Sequence, residues 1–131
     1  MGARRRKSMA DCPFCVRVKH NEYVSAGFNG HVVSFQPLNP VTPGHMLFLP
    51  AKHIEHLDAD GPSAVGLCME AASSYAQYSS MFRSHNLITS YGHDATQTVP
   101  HIHVHLVPRR PLDGLELPWG KPHYGAGLEV H

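Results

Sequence analysis

Residues 101–107 read His-Ile-His-Val-His-Leu-Val, and this stretch decides the fold of the chain. Histidines and apolar residues alternate in it, which is the period of a β-strand, because successive strand side chains point to opposite faces of a sheet. We therefore expect the three histidines to line one face while Ile102, Val104 and Leu106 face the core. Three imidazoles on one strand face are an expensive arrangement if they serve packing alone. Such a row can bind a metal ion, supply a nucleophile with its acid and base, or do both.

The segments around this strand predict an α+β fold with a mostly antiparallel sheet, because several strand-like runs surround one long helix. Asp60-Gly61-Pro62 supplies an N-cap and a first-turn proline, and apolar residues then recur at helical spacing to about Phe82. Cys68 falls inside that pattern and is expected to be a small core residue. Strands are expected over residues 22–26, 31–35, 45–49, 87–91 and 102–107.

The length of 131 residues fits one domain, expected over residues 11–131, with a core that needs no disulfides. The formal charge of +1 argues against a nucleic-acid partner; the basic residues 1–10 are expected to be a disordered tail, with a nucleic-acid contact as the alternative. No apolar run approaches the roughly 20 residues of a membrane span, and none follows the basic start as in a secretory signal. Three cysteines, an odd number, then predict reduced thiols and a cytoplasmic protein.

Residues 96–110 resemble the histidine triad (HIT) family, whose motif is His-φ-His-φ-His-φ-φ with φ an apolar residue, and residues 101–107 fill every position of it. The resemblance extends to residues 43–50, Pro-Gly-His-Met-Leu-Phe-Leu-Pro, and to the Cys12-Pro-Phe-Cys15 start, so it covers most of residues 12–119. It implies a HIT-like fold with a five-stranded, mostly antiparallel sheet, one long helix and one short helix. It also implies a homodimer formed through the long helix and the sheet edge.

The same resemblance implies an enzyme that releases AMP or another nucleoside monophosphate from nucleoside phosphoramidates or dinucleoside polyphosphates. A neutral imidazole can attack phosphorus and form a covalent nucleotidyl-histidine, which water then opens. The resemblance makes His103 the nucleophile, His105 a donor to the phosphate and leaving-group oxygens, and His45 a fourth histidine close to the reacting phosphate. We expect the second ring nitrogen of His103 to be held by a backbone carbonyl from the strand that begins at His45. Because all three motif histidines are present, hydrolysis is favoured over transfer to a sugar phosphate.

Four further residues are implied to contact the nucleotide. Gln97 and Thr98 correspond to a family loop whose amide and hydroxyl donate to phosphate oxygens, with a simple polar loop as the alternative. The family carries a ribose-binding carboxylate or amide eight residues before the upstream histidine, but Pro37 stands there in this chain. Asn39 is expected to substitute for it, and Ser90 occupies a second polar position that is often asparagine. Pro37 therefore supports an alternative, a nucleotide-binding module with little turnover.

Arg109 and Arg110 are a pair of candidate phosphate clamps, but they follow Pro108 beyond the end of the strand. We therefore expect their side chains to be solvated. Most histidines outside the motif have no convergent spacing and are expected at the surface. His93, beside Asp94, is also expected at the surface, but contact with the substrate is an alternative for it.

Cys12 and Cys15 have the spacing of a zinc half-site or of a redox pair, and two unligated thiols are the third alternative. A redox motif normally opens a helix after a strand, and nothing in the sequence supplies that context. The chain resembles bacterial HIT proteins that begin with Cys-x-x-Cys, and this implies a structural zinc completed by His53 and His101, with no organic cofactor. A catalytic metal on the histidine row itself is the remaining alternative, but a third histidine would crowd its open position.

Overall fold

Five strands form the centre of the computed structural model, which describes residues 11–55 and 60–120. They are β1 Val24–Gly27, β2 Val32–Phe35, β3 Met46–Pro50, β4 His85–Ile88 and β5 Val104–Pro108. The sheet order is β1-β2-β3-β5-β4, and every neighbouring pair is antiparallel. A short helix, α1, spans Pro13–Lys19, and a long helix, α2, spans Gly61–Ala76. The predicted α+β class, with one long and one short helix on a five-stranded sheet, is confirmed.

The expected tail over residues 1–10 lies outside the described residues. Within residues 11–55 and 60–120, no helix combines the length and apolar character needed to cross a membrane.

Several element boundaries differ from the sequence prediction: β1 is Val24–Gly27 instead of 22–26, and β4 is His85–Ile88 instead of 87–91. Two further differences follow from hydrogen bonding. Helix α2 ends at Ala76 instead of about Phe82, because Ser79 is extended and its hydroxyl accepts from the Met81 amide to start a separate 3-10 turn. The histidine-bearing strand begins at Val104 instead of Ile102. The Ile102 amide donates to the carbonyl of Ile54 at 2.7 Å, so this part of the chain bonds to a loop and not to the sheet ladder.

The sheet buries apolar residues on both faces. On one face α2 presents small residues, Ala71 and Ala72 among them, which let the helix pack closely against Phe48. On the other face Phe14 and Val18 of α1 pack against a second buried cluster, composed of Val33, Phe35, Leu47 and Leu49. The alternation in β5 is the reason for this division: Val104 and Leu106 are fully buried in the cluster under α2. Cys68 belongs to the same cluster and is fully buried, as expected.

Gly44, immediately before His45, is the position where the backbone requires glycine. Its φ is +92°, and an added Cβ would meet the Met81 sulfur and the Pro108 ring. We expect Gly44→Ala to lower the free energy of unfolding by about 1–3 kcal/mol, through backbone strain and this collision. Gly66 is the matched control, because it lies in α2 with no atom within 4 Å of an added Cβ. Gly66→Ala should raise stability by up to about 1 kcal/mol in urea unfolding. A neutral Gly44→Ala would contradict the strain argument.

Candidate active site and metal centre

Pairing between β3 and β5 brings histidines from two distant parts of the chain together on one face of the sheet. Leu47 lies opposite His105 in the ladder, and His45 lies two residues before Leu47, so it is on the same face. The imidazole centroids of His45 and His105 are 5.2 Å apart, and those of His103 and His105 are 5.0 Å apart. The structure thus brings together the three histidines that the sequence predicts for catalysis, on the face opposite α2.

The ring of His103 is held by a backbone carbonyl, but not by the expected one. Its Nδ1 is hydrogen-bonded to the carbonyl oxygen of His101, two residues earlier, at 2.7 Å. This carbonyl is available because residues 101–103 precede the ladder of β5. A carbonyl oxygen can only accept, so Nδ1 carries the proton and Nε2 keeps its lone pair. Burial lowers the pKa of His103, which keeps the imidazole neutral and suited to attack.

The tautomers of His45 and His105 follow from a main-chain donor. The amide of Val41 donates to Nδ1 of His45 at 3.1 Å, so the proton of His45 is on Nε2. That Nε2 lies 2.9 Å from Nδ1 of His105 and donates to it. A neutral His105 must then carry its own proton on Nε2. The Val41 amide, His45 and His105 form a chain of hydrogen bonds that ends in one free N–H donor, which we call the relay.

The relay histidines are neutral at neutral pH because they are largely removed from water. Burial, followed by the neighbouring charges of His103 and His45, lowers the pKa of His105 to about 4. Burial also lowers the pKa of His45. A neutral His105 can donate through only one nitrogen, so the direction set by the relay decides what it offers to a substrate.

A cleft of about 380 Å³ opens over these rings, a size in the range of small-molecule sites. Thr98 and Ser90, two of the predicted nucleotide-binding residues, line it, whereas Asn39 is exposed and is not among its lining residues. The lining residues are Val41, His45, Asn86, Ile88, Ser90, Thr96, Thr98, His103, His105, Val107, Arg109, Leu115, Glu116 and Leu117.

Gln97 braces the loop beside the cleft. Its side-chain oxygen accepts from the backbone N–H of Gly92 at 2.9 Å, and its backbone N–H donates to the Gly92 carbonyl at 3.1 Å. The side-chain Nε2 of Gln97 is buried without a hydrogen-bond partner. His93, in the same loop, is exposed and contacts Asp94 at 3.4 Å. Gln97 therefore holds this loop, but it is not among the residues that line the cleft.

Arg109 is not solvated as expected, and its side chain is only 11 % exposed. Its guanidinium binds the carboxylate of Asp113 through two hydrogen bonds of 2.8 and 3.2 Å. It also donates to the Asn86 side chain and to the Leu115 carbonyl. The hydrogen bonds from Arg109 to Asp113 hold the pKa of that carboxylate below its ordinary range. The bond from Arg109 to the Leu115 carbonyl helps to fix residues 115–117 as a wall of the cleft. Opposite charges four residues apart were the signal for this ion pair in the sequence.

A second cluster, the predicted metal site, lies on the same face at the start of α1. The ligand atoms of Cys12, Cys15, His53 and His101 all lie within 4.8 Å of one another. Cys15 Sγ is 3.1 Å from Nδ1 of His53 and 3.6 Å from Nδ1 of His101, and Cys12 Sγ is 3.4 Å from the latter. Tetrahedral zinc with ordinary bond lengths places sulfur and nitrogen about 3.5 Å apart, so the four residues fit that ion.

Outer contacts orient both histidines of this cluster toward a metal. Nε2 of His101 donates to the Pro50 carbonyl at 2.8 Å, which leaves the Nδ1 lone pair for an ion. Nε2 of His53 lies 3.4 Å from a Glu55 carboxylate oxygen, an electrostatic contact that is poorly aligned for a hydrogen bond. Burial lowers the pKa of His101 to about 4, so it is an unprotonated ligand at neutral pH.

The two cysteines open helix α1, a placement that the sequence analysis did not anticipate. Cys12 is its N-cap, and its sulfur accepts from the Cys15 amide at 3.5 Å. Burial, with a hydrogen bond from the Cys15 thiol to Cys12 next in importance, raises the pKa of that thiol to about 12. A cation is then needed to form the thiolate, so metal binding here must release protons.

Comparison with known proteins agrees with this arrangement. The sequence model of a family described as HIT domain matches residues 19–112. A HIT family hydrolase from Clostridium thermocellum is 25 % identical, with a TM-score of 0.67 over 80 % of this chain and 96 % of that one. A Zn-bound histidine triad family protein from Mycobacterium smegmatis is 26 % identical, with a TM-score of 0.65 over 83 % and 82 % of the two chains. The asymmetrical bis(5'-nucleosyl)-tetraphosphatase of Schizosaccharomyces pombe is 34 % identical over 83 residues, or 61 % of this chain and 46 % of that protein.

The direction of the relay is set by the backbone amide of Val41, so a proline at position 41 should remove the constraint on that direction. In Val41→Pro the donor is lost, and the rings of His45 and His105 become free to take the other tautomer. We expect the ¹⁵N shifts of both rings to change and any turnover to fall about tenfold or more. Val41→Ala, which keeps the amide, is the control for the loss of a cleft-lining side chain. Unchanged ¹⁵N shifts in Val41→Pro would disprove the proposed direction of the relay.

Removal of one thiol should separate metal binding from general packing. We expect Cys12→Ser to lower both the bound metal per chain and the melting temperature, because a hydroxyl is a poor ligand for a metal that prefers thiolate. Cys68→Ser is the matched control: it places a hydroxyl in the core, so it should lower the melting temperature with the metal content unchanged. Metal analysis by mass spectrometry and thermal unfolding make the test. Full metal occupancy in Cys12→Ser would rule out the cluster as the site.

Proposed function

Because the chain belongs to the HIT domain family, we propose that it is a nucleotide phosphohydrolase that acts through a covalent nucleotidyl-His103. The observation that carries this proposal is the pair of complementary tautomers at one cleft. His103 presents a lone pair on Nε2 because its proton is on Nδ1, which donates it in a hydrogen bond to the His101 carbonyl. His105 presents a proton on Nε2 because its Nδ1 accepts from His45. A nucleophile and a donor thus lie side by side on one strand.

The first step is attack by Nε2 of His103 on the phosphorus of the bound nucleotide. The phosphorus–nitrogen or phosphorus–oxygen bond to the leaving group breaks, and the leaving group takes the electron pair. A phosphate leaving group departs as an anion, whereas an amine takes a proton from solvent. The Nε2–H of His105 stabilises the charge that develops on the oxygens. The Nδ1–H of His103 stays hydrogen-bonded to the His101 carbonyl, and that carbonyl oxygen stabilises the imidazolium formed.

Water completes the reaction. It attacks the phosphorus of the nucleotidyl-His103, the bond to Nε2 breaks, and its electron pair returns to the ring. The proton of the water passes to solvent, and the nucleoside monophosphate leaves. Thr98 lines the cleft and is suited to donate to phosphate oxygens in both steps, and Gln97 holds the loop that carries it.

Two lines of support bear on the substrate class. The name of the S. pombe relative describes cleavage of a dinucleoside tetraphosphate, and the matched C. thermocellum structure is named a hydrolase. The proposed substrates of this chain are therefore dinucleoside polyphosphates, together with the nucleoside phosphoramidates that the family resemblance implies. The proposed product is AMP or another nucleoside monophosphate.

We propose further that zinc occupies the Cys12, Cys15, His53 and His101 cluster. Its closed set of two sulfurs and two nitrogens is typical of structural zinc, which would crosslink the start of α1 to the segment before β5. No catalytic role is assigned to the ion. His103 and His105 remain for the reaction because their ring nitrogens are not part of that cluster.

The second candidate function is nucleotide binding with little turnover. The exposed position of Asn39 and the proline at position 37 favour it, because neither supplies the ribose contact that the family resemblance implies. Tight binding of AMP in calorimetry without release of product from either substrate class would establish it.

The decisive prediction concerns His103. We expect His103→Ala to lose at least about 10³-fold of the rate of AMP release, as for the loss of an essential nucleophile. Chromatography of product from adenosine phosphoramidate and from diadenosine tetraphosphate measures this. His31→Ala, which changes an exposed histidine outside the cleft, is the control. A His103→Ala enzyme that keeps a tenth of the wild-type rate would refute the mechanism.

A further inference from the structure

The residue between the two cysteines links the metal cluster to the proposed nucleophile. Phe14 lies in the first turn of α1, and its ring meets the ring of His103 edge to face, with centroids 5.1 Å apart and planes at 85°. It also meets His101 at 5.8 Å and Phe35 at 5.4 Å. One aromatic ring therefore contacts a metal-cluster histidine, the proposed nucleophile and the core beneath them.

The ring of His103 needs such a contact to keep its orientation toward the substrate. Rotation about the bond between Cβ and the ring is broad in histidine and has no sharp preferred angle. The hydrogen bond to the His101 carbonyl anchors Nδ1, but a single anchor still lets the ring tilt about that bond. Attack on phosphorus requires Nε2 to lie within a few tenths of an ångström of its line of approach. Packing against the ring must supply what the torsion and the single bond do not.

The ring of His103 is also in contact with the ring of His105, at 5.0 Å. Its two other constraints come from the metal-binding arm, which we define as residues 12–15 together with His101. Phe14 supplies the ring contact, and the backbone of His101 supplies the carbonyl. The seven-residue helix α1 is too short to be stable alone, so its position depends on the cluster and on packing against the sheet. A change in the arm is therefore transmitted directly to the nucleophile.

We propose that Phe14 is a positioning residue, which holds the ring of His103 at the angle needed for attack and so couples the metal-binding arm to the active site. This inference rests on the proposed role of His103 as nucleophile. Its physical core, the orientation and tautomer of the His103 ring, can be measured whether or not the protein turns over a substrate.

The test uses the full-length, metal-loaded protein and compares Phe14→Leu and Phe14→Met with Phe35→Leu. The two Phe14 variants remove the ring but keep apolar volume, and methionine fills irregular space well. Phe35→Leu is the matched control, because it removes the other ring of the Phe14–Phe35 pair from the same buried cluster. Three quantities are measured for each: metal per chain, the ¹⁵N shifts of the His103 ring, and kcat and KM for adenosine phosphoramidate.

We expect both Phe14 variants to keep their metal, to shift the ¹⁵N signals of the His103 ring because its tilt is less restricted, and to lose about tenfold in kcat with KM unchanged. Phe35→Leu should leave the His103 signals as in the wild type. The proposal is overturned if the His103 signals do not move in metal-loaded Phe14 variants, if Phe35→Leu moves them equally, or if both Phe14 variants lose the metal. Absence of turnover in the wild type would instead count against the proposed function, and the ring signals would still decide the role of Phe14.

Discussion

The antiparallel pairing of β3 with β5 is the constraint on which the rest of the site depends. It joins two segments that lie far apart in the chain and sets Leu47 opposite His105. A shift of one residue in this register would turn the histidines toward α2 and the apolar residues toward the cleft. The burial of Phe48, Val104 and Leu106 under α2 opposes such a shift, because all three are fully removed from water. The hydrophobic core therefore specifies the alignment of the polar groups.

The two faces of the sheet have different tasks. Both faces bury apolar residues, but the cleft, the relay and the metal cluster lie on the face opposite α2. Placing both functional clusters on one face brings them into contact through His101, which offers Nδ1 to one and its carbonyl oxygen to the other. A single residue thereby serves two sites through different atoms, and no mobile segment is needed between them.

Local patterns in the sequence were sufficient for much of this arrangement. The alternation in residues 101–107 predicted which side chains face the core, because the period of a strand is a property of the backbone itself. The membership of the metal cluster followed from family resemblance. The source of the carbonyl that holds His103 could not be predicted, since it depends on a hydrogen bond from Ile102 to a loop that is distant in sequence. The burial of Arg109 was missed because it depends on a turn that returns Asp113 to the guanidinium.

The relay begins at the Val41 amide, and this has a consequence for how the sequence can change over evolution. The side chain of Val41 is 54 % exposed, so substitutions there cost little in packing. Every residue except proline carries the amide that orients His45. The side chain at position 41 can therefore change, within what the cleft that it lines allows, while its amide continues to orient His45. A position of this kind need not show a conserved residue type. The surrounding segment already contains prolines at positions 37, 40 and 43. Selection for the amide at position 41 would be visible as the consistent absence of a proline there.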